Sequence, residues 1–567
     1  MPKSLFRRKN ISAILAEADN EIHGAKLKRV LSVKDLTFFG IAAIIGAGSF
    51  SSLGEAIFRG GPGVVLLFII CGIACAFTAF CYSEFASRIP VAGSAYTYAY
   101  ASFGELFAWI IGWALIMEYS IGNIYVAYSW SDYFTSMMGR LGINIPDYLS
   151  CSYMEAKKAV AAGSSNLGLI QAWNNAPLLG SLKIIFDLPA LIINLLITYL
   201  VYRGIKESRN FSNVMVILKL SAVLLVIIVG AAYINIDNWT PINDVGVKAF
   251  MPNGFSGVMF AVSGVFFAYI GFDAVSVLAE ESKNPQRDLP RAMIYSLVIC
   301  TVVYILLSLV LSGVVNYRLF ENVGDPLAKI FEIKGIAWMQ LLISVIAVVA
   351  MTSVLLVFQM GQPRIWMSMS RDGLMPKKFQ QIHPKYKTPS YATIVTGLVV
   401  GVPILFTDKT FVLDFTSIAT LFAFVLVCGG VLLLPRREKI PGHFYLPYIS
   451  SKFSFPIIVA GTMLLISILW KEYFPSLFHF SGEGVNTTYN ISALIFWIIC
   501  ILLAMATAIK NWSLIPLLGL ITCLYLLTGM SAVNWIWFFW WMILGLVLYF
   551  SYGYKHSRLA LAEKEEN

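Results

Sequence analysis

Several ionisable side chains lie inside long apolar stretches of this sequence. Lys219 lies within Val-Ile-Leu-Lys-Leu-Ser-Ala-Val, and Glu118 lies within Ile-Met-Glu-Tyr-Ser. Ionisable residues in such stretches are rare and usually functional. A lysine in apolar surroundings can exchange a proton near neutral pH, so Lys219 is a candidate for proton binding. The alternative is a lysine whose ammonium group reaches the membrane interface by snorkelling.

The other polar candidates have competing structural roles. Glu118 is equally consistent with contact to a substrate or proton and with a buried structural pair. Asp273 follows an interrupted stretch, where an aspartate favours the capping of a restarted helix. Thr352 and Ser353 offer hydroxyl groups, but Ser and Thr in the middle of a helix more often bond to their own backbone.

Two apolar stretches are interrupted by glycine in a similar manner. One reads Ile44-Ile-Gly-Ala-Gly-Ser-Phe50, and the other reads Phe267-Ala-Tyr-Ile-Gly-Phe-Asp273. A membrane helix breaks only where protein or a cavity replaces lipid, because lipid offers no hydrogen bonds to free backbone groups. Paired breaks in two halves of a chain are typical of the binding site of a secondary transporter.

The predicted chemistry of these breaks is the recognition of a zwitterion. The amides near Gly46 and Gly48 would begin the second half of a broken helix, where N–H groups and the helix dipole attract a carboxylate. Unwinding around residues 268–271 would free carbonyl groups for an ammonium group. Together the breaks would hold both charges of an α-amino acid. The alternative is that glycine allows two helices to pack closely.

The elements that must position these residues are membrane helices. Of the 567 residues, 58% are hydrophobic and 13% are charged, with a mean hydropathy of +0.75, whereas about 25% of the residues in soluble domains are charged. Apolar runs of about 20 residues can each cross a bilayer. We therefore predict an all-α polytopic membrane protein with about fourteen transmembrane segments, at 36–58, 63–87, 97–133, 184–202, 210–234, 255–282, 291–315, 336–370, 389–406, 412–433, 453–471, 491–509, 513–530 and 534–553.

The net charge of +10 does not indicate nucleic-acid binding, because no basic groove with stacking aromatic residues accompanies it. With the N-terminus inside, most Lys and Arg residues fall in cytoplasmic segments, which is the positive-inside pattern. This predicts a cell-membrane protein with both termini in the cytoplasm. The histidines lie in loops or near the chain ends, and all cysteines except Cys151 lie in apolar segments. The sequence therefore predicts no metal site, no cofactor and no enzyme.

The glycine breaks lie in the first and sixth segments, so the first ten segments divide into two sets of five. Repeats with an odd number of crossings have opposite topology, which predicts an inverted repeat. The predicted units are a basic, amphipathic cytoplasmic N-terminus at 1–35, a first repeat at 36–234, a second repeat at 255–433, four additional helices at 453–553, and a cytoplasmic tail at 554–567.

Several motifs resemble the amino acid–polyamine–organocation (APC) superfamily. The stretch Gly46-Ala-Gly48 is similar to its Gly-X-Gly break. More specific stretches are similar to its cationic amino acid transporter branch and the bacterial relatives of that branch. These are Phe266-Phe-Ala-Tyr-Ile-Gly-Phe-Asp273, Ala279-Glu-Glu-Ser-Lys-Asn-Pro-Gln-Arg-Asp-Leu-Pro290, Gly361-Gln-Pro-Arg-Ile, Met369-Ser-Arg-Asp-Gly-Leu-Met-Pro376 and His383-Pro-Lys-Tyr-Lys-Thr-Pro389.

The resemblance implies a LeuT-type five-plus-five inverted repeat, with helices 1 and 6 broken, that works by alternating access. It assigns the substrate's amino and carboxyl groups to a set of residues from both breaks, namely Ile44, Gly46, Ala47, Gly48, Phe267, Ala268 and Ile270. Lys219 matches a helix 5 lysine that takes the place of a sodium ion in sodium-coupled relatives. Its ammonium group would approach helix 1 carbonyls near Gly46 and the hydroxyls of Thr352 or Ser353. This implies sodium-independent, proton-coupled transport.

The sequence departs from the family pattern in ways that leave the substrate side chain open. Ser49 stands where a hydrophobic residue is usual. Met351 would shorten a side-chain pocket and argues against long cationic substrates, whereas Glu118 argues for them. The prediction is a secondary transporter of L-amino acids. The alternatives are an amino acid exchanger and a non-transporting amino acid sensor on the same scaffold.

Overall fold

The computed structural model is almost entirely helical. It describes residues 5, 7–9, 14, 31–91, 94–163, 166–204, 209–243, 246–435, 439–478 and 485–565. The helices in chain order are α1 (Val33–Ile44), α2 (Leu53–Gly60), α3 (Val64–Arg88), α4 (Ser94–Ser102), α5 (Glu105–Arg140), α6 (Tyr153–Ala161), α7 (Leu167–Asn175), α8 (Leu188–Arg203), α9 (Arg209–Ala231), α10 (Gly254–Phe260), α11 (Val262–Phe267), α12 (Pro285–Val314), α13 (Pro326–Ile333), α14 (Ala337–Arg371), α15 (Ser390–Ile404), α16 (Lys409–Leu433), α17 (Ser451–Leu469), α18 (Tyr473–Ser476), α19 (Val485–Ile509), α20 (Leu514–Leu527), α21 (Ala532–Leu548), α22 (Tyr554–His556) and α23 (Arg558–Glu565).

The long apolar helices overlap segments predicted from the sequence. In the described part of the chain, nine helices are long and apolar enough to cross a membrane, and a bent pair raises the number to ten. Three shorter apolar helices, α8, α15 and α20, overlap further predicted segments. A multi-pass helical membrane fold is therefore confirmed. The number of fourteen crossings and the five-plus-five repeat stay predictions.

The third predicted segment, 97–133, is two helices rather than one. Gly104 separates α4 from α5 with a φ of 107°, a backbone conformation that favours glycine because it lacks Cβ. This turn ends the helical path, so α5 begins at Glu105 and the predicted start at residue 97 was wrong. The 36 residues of α5 span about 54 Å at 1.5 Å per residue, which exceeds a bilayer core of about 30 Å.

The long helix α5 lies at the centre of the packing. It contacts α14 and α16, while α3 packs along α12, and these contacts bury one extensive apolar core. Helices α17, α19 and α20 enclose a smaller separate core around Phe455, Phe496 and Trp497. Most apolar side chains of α17 are exposed on the protein surface, which suits a helix that faces lipid.

The two faces of the helix bundle carry different elements. Between α5 and α8 the chain forms α6, α7 and a short hairpin of β1 (Leu178–Leu179) and β2 (Leu182–Lys183). At the opposite face both chain ends meet the start of α5. The backbone carbonyl of Arg7 accepts from the amide of Glu105 at 2.8 Å, and the Tyr549 hydroxyl donates to the Glu105 carboxylate at 2.9 Å. Arg7, near the N-terminus, and Tyr549, after α21, therefore lie at the same face.

Candidate functional site

The first glycine break lies between α1 and α2. A π-helical turn, Gly48–Ser52, leads from the break into α2. The carbonyl of Gly46 accepts from the backbone amides of Ser49 and Phe50, both at 3.1 Å. Among the described residues, no backbone carbonyl accepts a hydrogen bond from the amides of Gly46 and Ala47. These two amides are the free donors of the first break.

The second break lies between α11 and a 3₁₀ helix, Phe272–Glu281. Gly271 has a φ of 118°, which is unfavourable for any residue with a Cβ atom. The amides of Tyr269 and Ile270 donate to carbonyls three residues earlier, at 2.9 and 3.2 Å. Within the described ranges, no backbone amide donates to the carbonyls of Ala268 and Ile270. These acceptors are the counterpart of the free donors in the first break.

The two breaks are in direct contact. A Cβ atom on Gly48 would lie 2.4 Å from the Ala268 Cα, and a Cβ atom on Gly271 would lie 2.9 Å from the Ala43 carbonyl carbon. The contact agrees with the packing interpretation of the glycines, because only glycine allows this approach. It also brings the first break, which carries the free amides, against the second break, which carries the free carbonyls. The residues that the resemblance assigns to the substrate are all buried here: Ile44, Gly46, Ala47, Gly48, Phe267, Ala268 and Ile270.

Lys219 is fully buried on α9 and reaches the first broken helix. Its Nζ donates to the backbone carbonyl of Ala42 at 3.1 Å. The acceptor lies in the last turn of α1, four residues before Gly46. Because carbonyls concentrate partial negative charge at a helix C-terminus, an ammonium group is favourable at this position.

The hydroxyl groups predicted near Lys219 are engaged with their own helix. The Thr352 hydroxyl donates to the carbonyl of Val348 at 2.7 Å and accepts from the indole nitrogen of Trp130 at 2.9 Å. The Ser353 hydroxyl donates to the carbonyl of Ala350 at 2.9 Å. Both side chains thus follow the back-bonding pattern of mid-helix Ser and Thr.

Glu118 and Met351 lie in the core around the breaks. Glu118 is 4% exposed, and its carboxyl group is close to Thr420 and interacts electrostatically with Asp273. The Asp273 carboxyl group lies against the backbone amides of Gly271 and its own turn, as a helix-capping aspartate would. Met351 is completely buried on α14. In the described part of the chain, no group of three His, Cys, Asp or Glu side chains is arranged to hold a metal ion.

Comparison with known protein families identifies the class of the molecule. Residues 31–499 match the family described as Amino acid permease, and residues 514–557 match the C-terminus of AA_permease. This chain belongs to the amino acid permease family. It is therefore a multi-pass transporter of the APC superfamily and not an enzyme.

Three relatives resemble this permease over most of its length. It is 36% identical to the branched-chain amino acid permease BcaP of Bacillus subtilis, over 99% of this chain and 100% of the relative. It is 39% identical to the methylthioribose transporter of the same organism, over 83% and 95% of the two chains. It is 30% identical to cationic amino acid transporter 3, mitochondrial, of Arabidopsis thaliana, over 99% and 96%.

Sequence reasoning missed the aromatic residue that covers the second break in the permease. At the face away from the chain ends, a cavity of about 650 Å³ is lined by Ser51 and Tyr125, among other residues. The Tyr125 ring packs on Phe267 with its centroid 4.6 Å away and an interplanar angle of 64°. Tyr125 therefore lies between this cavity, the vestibule, and Phe267 at the end of α11. The signal was present, because Tyr125 follows Glu118 by seven residues and shares its helix face.

The walls of the vestibule carry interacting charges. Lys409 bonds to Asp132, and Lys158 bonds to Asp408 with an N–O distance of 2.8 Å. The backbone amide of Lys409 donates to the Glu155 carboxylate at 3.1 Å. Burial raises the pKa of Glu155, and the negative charge of Asp132 adds to the increase. These contacts connect α5, α6 and the start of α16 around the vestibule.

The sequence reasoning also missed a buried amide cluster because its members carry no charge. Asn123 on α5 donates to Gln359 on α14, and Gln359 donates to the Thr198 hydroxyl at 2.7 Å. Gln362, one turn further along α14, donates to the Ser120 hydroxyl at 2.5 Å. Buried and hydrogen-bonded polar groups specify how helices pack. The cluster therefore fixes α5 against α8 and α14 beside the candidate site.

Proposed function

We propose that this permease carries L-amino acids across the cell membrane by alternating access. The observation that supports the proposal is the contact between the two glycine breaks. It brings together the free amides of Gly46 and Ala47 and the free carbonyls of Ala268 and Ile270. The proposed scaffold is a LeuT-type five-plus-five inverted repeat within about fourteen membrane helices, with both termini in the cytoplasm.

The proposed site binds the two charges shared by all α-amino acids. The substrate carboxylate accepts from the amides of the first break, where the dipole of the following helix adds attraction. The substrate ammonium group donates to the carbonyls of the second break. No charged side chain is needed for this recognition. Ile44, Gly48 and Phe267 form the surrounding walls, and the Tyr125 ring closes the path to the vestibule.

We propose that Lys219 couples transport to protons and makes sodium unnecessary. Its ammonium group already places a positive charge against the Ala42 carbonyl, where a bound cation would otherwise stabilise the end of α1. Loss of the proton would remove this charge and weaken the contact between α9 and α1. Proton binding would then bias the position of the broken helix. In the proposal, Thr352 and Ser353 on α14 contribute hydroxyl groups to the coupling site, although in this structure both donate to carbonyls of their own helix.

In the proposed site, Glu118 and Met351 select among substrate side chains. Glu118 offers a buried carboxylate that favours cationic side chains, whereas Met351 restricts length. The related transporters are named for branched-chain and for cationic amino acids. A methylthioribose-like substrate is a second candidate because the methylthioribose transporter is 39% identical. Such a substrate lacks both charges, so the free amides and carbonyls of the breaks would be left without ionic partners.

Uptake by purified permease in proteoliposomes tests the proposal. The panel contains leucine, arginine, glutamate and methylthioribose, with and without a pH gradient, in sodium and in potassium buffers. The proposal expects saturable uptake of an L-amino acid that increases with an inward proton gradient and does not change with sodium. Uptake of methylthioribose alone would refute the amino acid assignment. Uptake only into liposomes preloaded with amino acid would indicate an exchanger, and binding without flux would indicate a sensor.

A further inference from the structure

A second polar cluster lies beside the vestibule and involves the C-terminal helices. Its centre is Asp414 on α16. The Oδ1 atom of Asp414 contacts the guanidinium group of Arg59 at 3.4 Å and accepts from the Ser263 hydroxyl. The Oδ2 atom accepts from the side-chain amide of Asn534 at 3.2 Å. One carboxylate thus connects α2, α11, α16 and α21.

The uncharged polar partners of Asp414 are buried, whereas the Asp414 and Arg59 side chains are 14% and 22% exposed. Ser263 is 3% exposed and Asn534 is 2% exposed. Arg59 donates to Glu55 at 2.8 Å and to the carbonyl of Phe260 at 3.2 Å, so it binds to both broken helices. Glu55 also lines the vestibule. The cluster therefore adjoins the vestibule through Glu55 and through Leu413, the residue before Asp414, which also lines the vestibule.

The C-terminal helix α21, which carries Asn534, packs against the central helix α5. There the indole nitrogen of Trp109 donates to the carbonyl of Gly545 at 2.9 Å and that of Trp113 donates to the carbonyl of Trp541 at 2.8 Å. Immediately before α21, a Cβ atom on Gly529 would lie 2.7 Å from the carbonyl oxygen of Met259 on α10. The segment thus contacts the central helix along its length and the second broken helix at its start.

We propose that the Asp414 cluster is a clasp that keeps the vestibule side of the permease closed, and that Asn534 makes the C-terminal segment part of it. The inference rests on the proposed alternating access. The halves of the broken helices that border the vestibule, α2 with α10 and α11, meet α16 at Asp414. If they move away from α16 to open the site, Arg59 and Ser263 must separate from the carboxylate. Asn534 is a positioning residue, because it holds the second oxygen of Asp414 and touches neither break.

The test measures how easily a water-soluble reagent reaches the floor of the vestibule. The reporter is a Ser51→Cys substitution, because Ser51 is 2% exposed and lines the vestibule. Cys151, which also lines it, is replaced in all variants by Cys151→Ser. The permease is placed in lipid nanodiscs, and its modification by a charged methanethiosulfonate reagent is timed by mass spectrometry. This measurement requires no knowledge of the substrate.

The clasp predicts a graded set of rates. Asp414→Asn should increase the rate of modification about ten-fold, which corresponds to ~1.4 kcal/mol, because it removes the charge-assisted contact. Asn534→Ala and Ser263→Ala, which each remove one donor, should increase it about two- to three-fold. The matched control is Asp237→Asn, because Asp237 forms an exposed pair with Lys248 at 2.9 Å. Its rate should equal that of the reporter background.

The outcomes distinguish failure of the clasp proposal from failure of the transport proposal. Rates of Asp414→Asn and Asn534→Ala equal to that of Asp237→Asn would overturn the clasp, even if amino acid uptake is observed. Increased rates together with no uptake of any amino acid would support the clasp and refute the transport proposal. If Asp414→Asn does not fold, Asn534→Ala and Ser263→Ala decide the question. The inference is overturned if neither of these two variants is modified faster than the reporter background.

Discussion

The contact between the glycine breaks makes Gly48→Ala the most informative perturbation. An added Cβ atom would lie 2.4 Å from the Cα of Ala268 and 3.1 Å from its amide nitrogen. Both neighbours are backbone atoms, so no side-chain rotation relieves the overlap. To reach the 3.4 Å at which ordinary van der Waals contact begins, the two broken helices must separate by 3.4 − 2.4 = 1.0 Å.

This separation should weaken substrate binding more than folding. Overpacking of a close-packed interior costs about 1–3 kcal/mol, which corresponds to about 5- to 150-fold in an equilibrium constant. The added Cβ atom acts at the contact between Gly48 and Ala268, so it should change the distance between the free amides of the first break and the free carbonyls of the second. A ligand that must touch both groups at once loses hydrogen-bond geometry when that distance increases. We therefore expect at least a five-fold weaker affinity for the amino acid that the uptake panel identifies.

Two controls separate the geometry of the site from helix propensity. Gly461→Ala places Cβ on a helix surface with no atom within 4 Å, so affinity should not change. Gly46→Ala brings Cβ to 2.7 Å from Cγ2 of Val354, a side-chain atom, so the added substitution Val354→Ala should restore affinity. Equilibrium binding of radiolabelled amino acid to purified protein measures all variants. Wild-type affinity in Gly48→Ala would refute the proposal that contact between the breaks shapes the site.

Three further predictions concern ionisable groups. Lys219→Ala removes the ammonium group from the Ala42 carbonyl and should abolish the stimulation of proteoliposome uptake by a pH gradient; unchanged stimulation would exclude Lys219 from proton coupling. Glu118→Gln should reduce arginine uptake at least ten-fold (~1.4 kcal/mol) relative to leucine uptake. If the ratio of arginine uptake to leucine uptake does not change, Glu118 has a structural role only. Burial raises the pKa of Asp325, which lies in the loop before α13, from 3.8 to about 6. The Asp325 carboxyl group therefore binds a proton more tightly in the native state than in the unfolded chain. The stability that this tighter binding contributes to the native state is present below pH 4 and is lost as pH rises through about 6. Thermal unfolding should therefore show that Asp325→Asn gains up to about 3 kcal/mol over the wild type between pH 4 and pH 8, whereas exposed Asp237→Asn shows no such trend.

The sequence was most predictive where one residue determines the backbone. The glycines at 46, 48 and 271 predicted both breaks, because a Cβ atom is incompatible with the approach or the φ angle that the structure has there. Hydropathy predicted the helices because lipid leaves each crossing few alternatives. It did not register the turn at Gly104, since no charged or proline residue interrupts the sequence between Ser94 and Gly104. That turn depends on the φ angle of one residue rather than on periodicity.

The missed features depend on contacts between residues distant in the chain. Gln359 was overlooked because an uncharged amide in an apolar helix gives little signal until its partners on two other helices are known. Tyr125 is one of 27 tyrosines, and only its edge-to-face contact with Phe267 distinguishes it. The hydrogen bond between Asn534 and Asp414 spans 120 residues. No local pattern contains such a pair, so its role can be inferred only once the fold is known.

The proposed site would explain how one scaffold can accept different amino acids. In the proposal, backbone groups recognise the shared zwitterion, and their positions depend on glycine and on the path of the chain rather than on side-chain chemistry. Selectivity would then depend on a few side chains, for which we propose Glu118 and Met351. A substitution at those positions can alter the substrate without disturbing the breaks. By the same reasoning, a relative with a different substrate can keep the glycine pattern, so the pattern predicts the class of transporter better than the ligand.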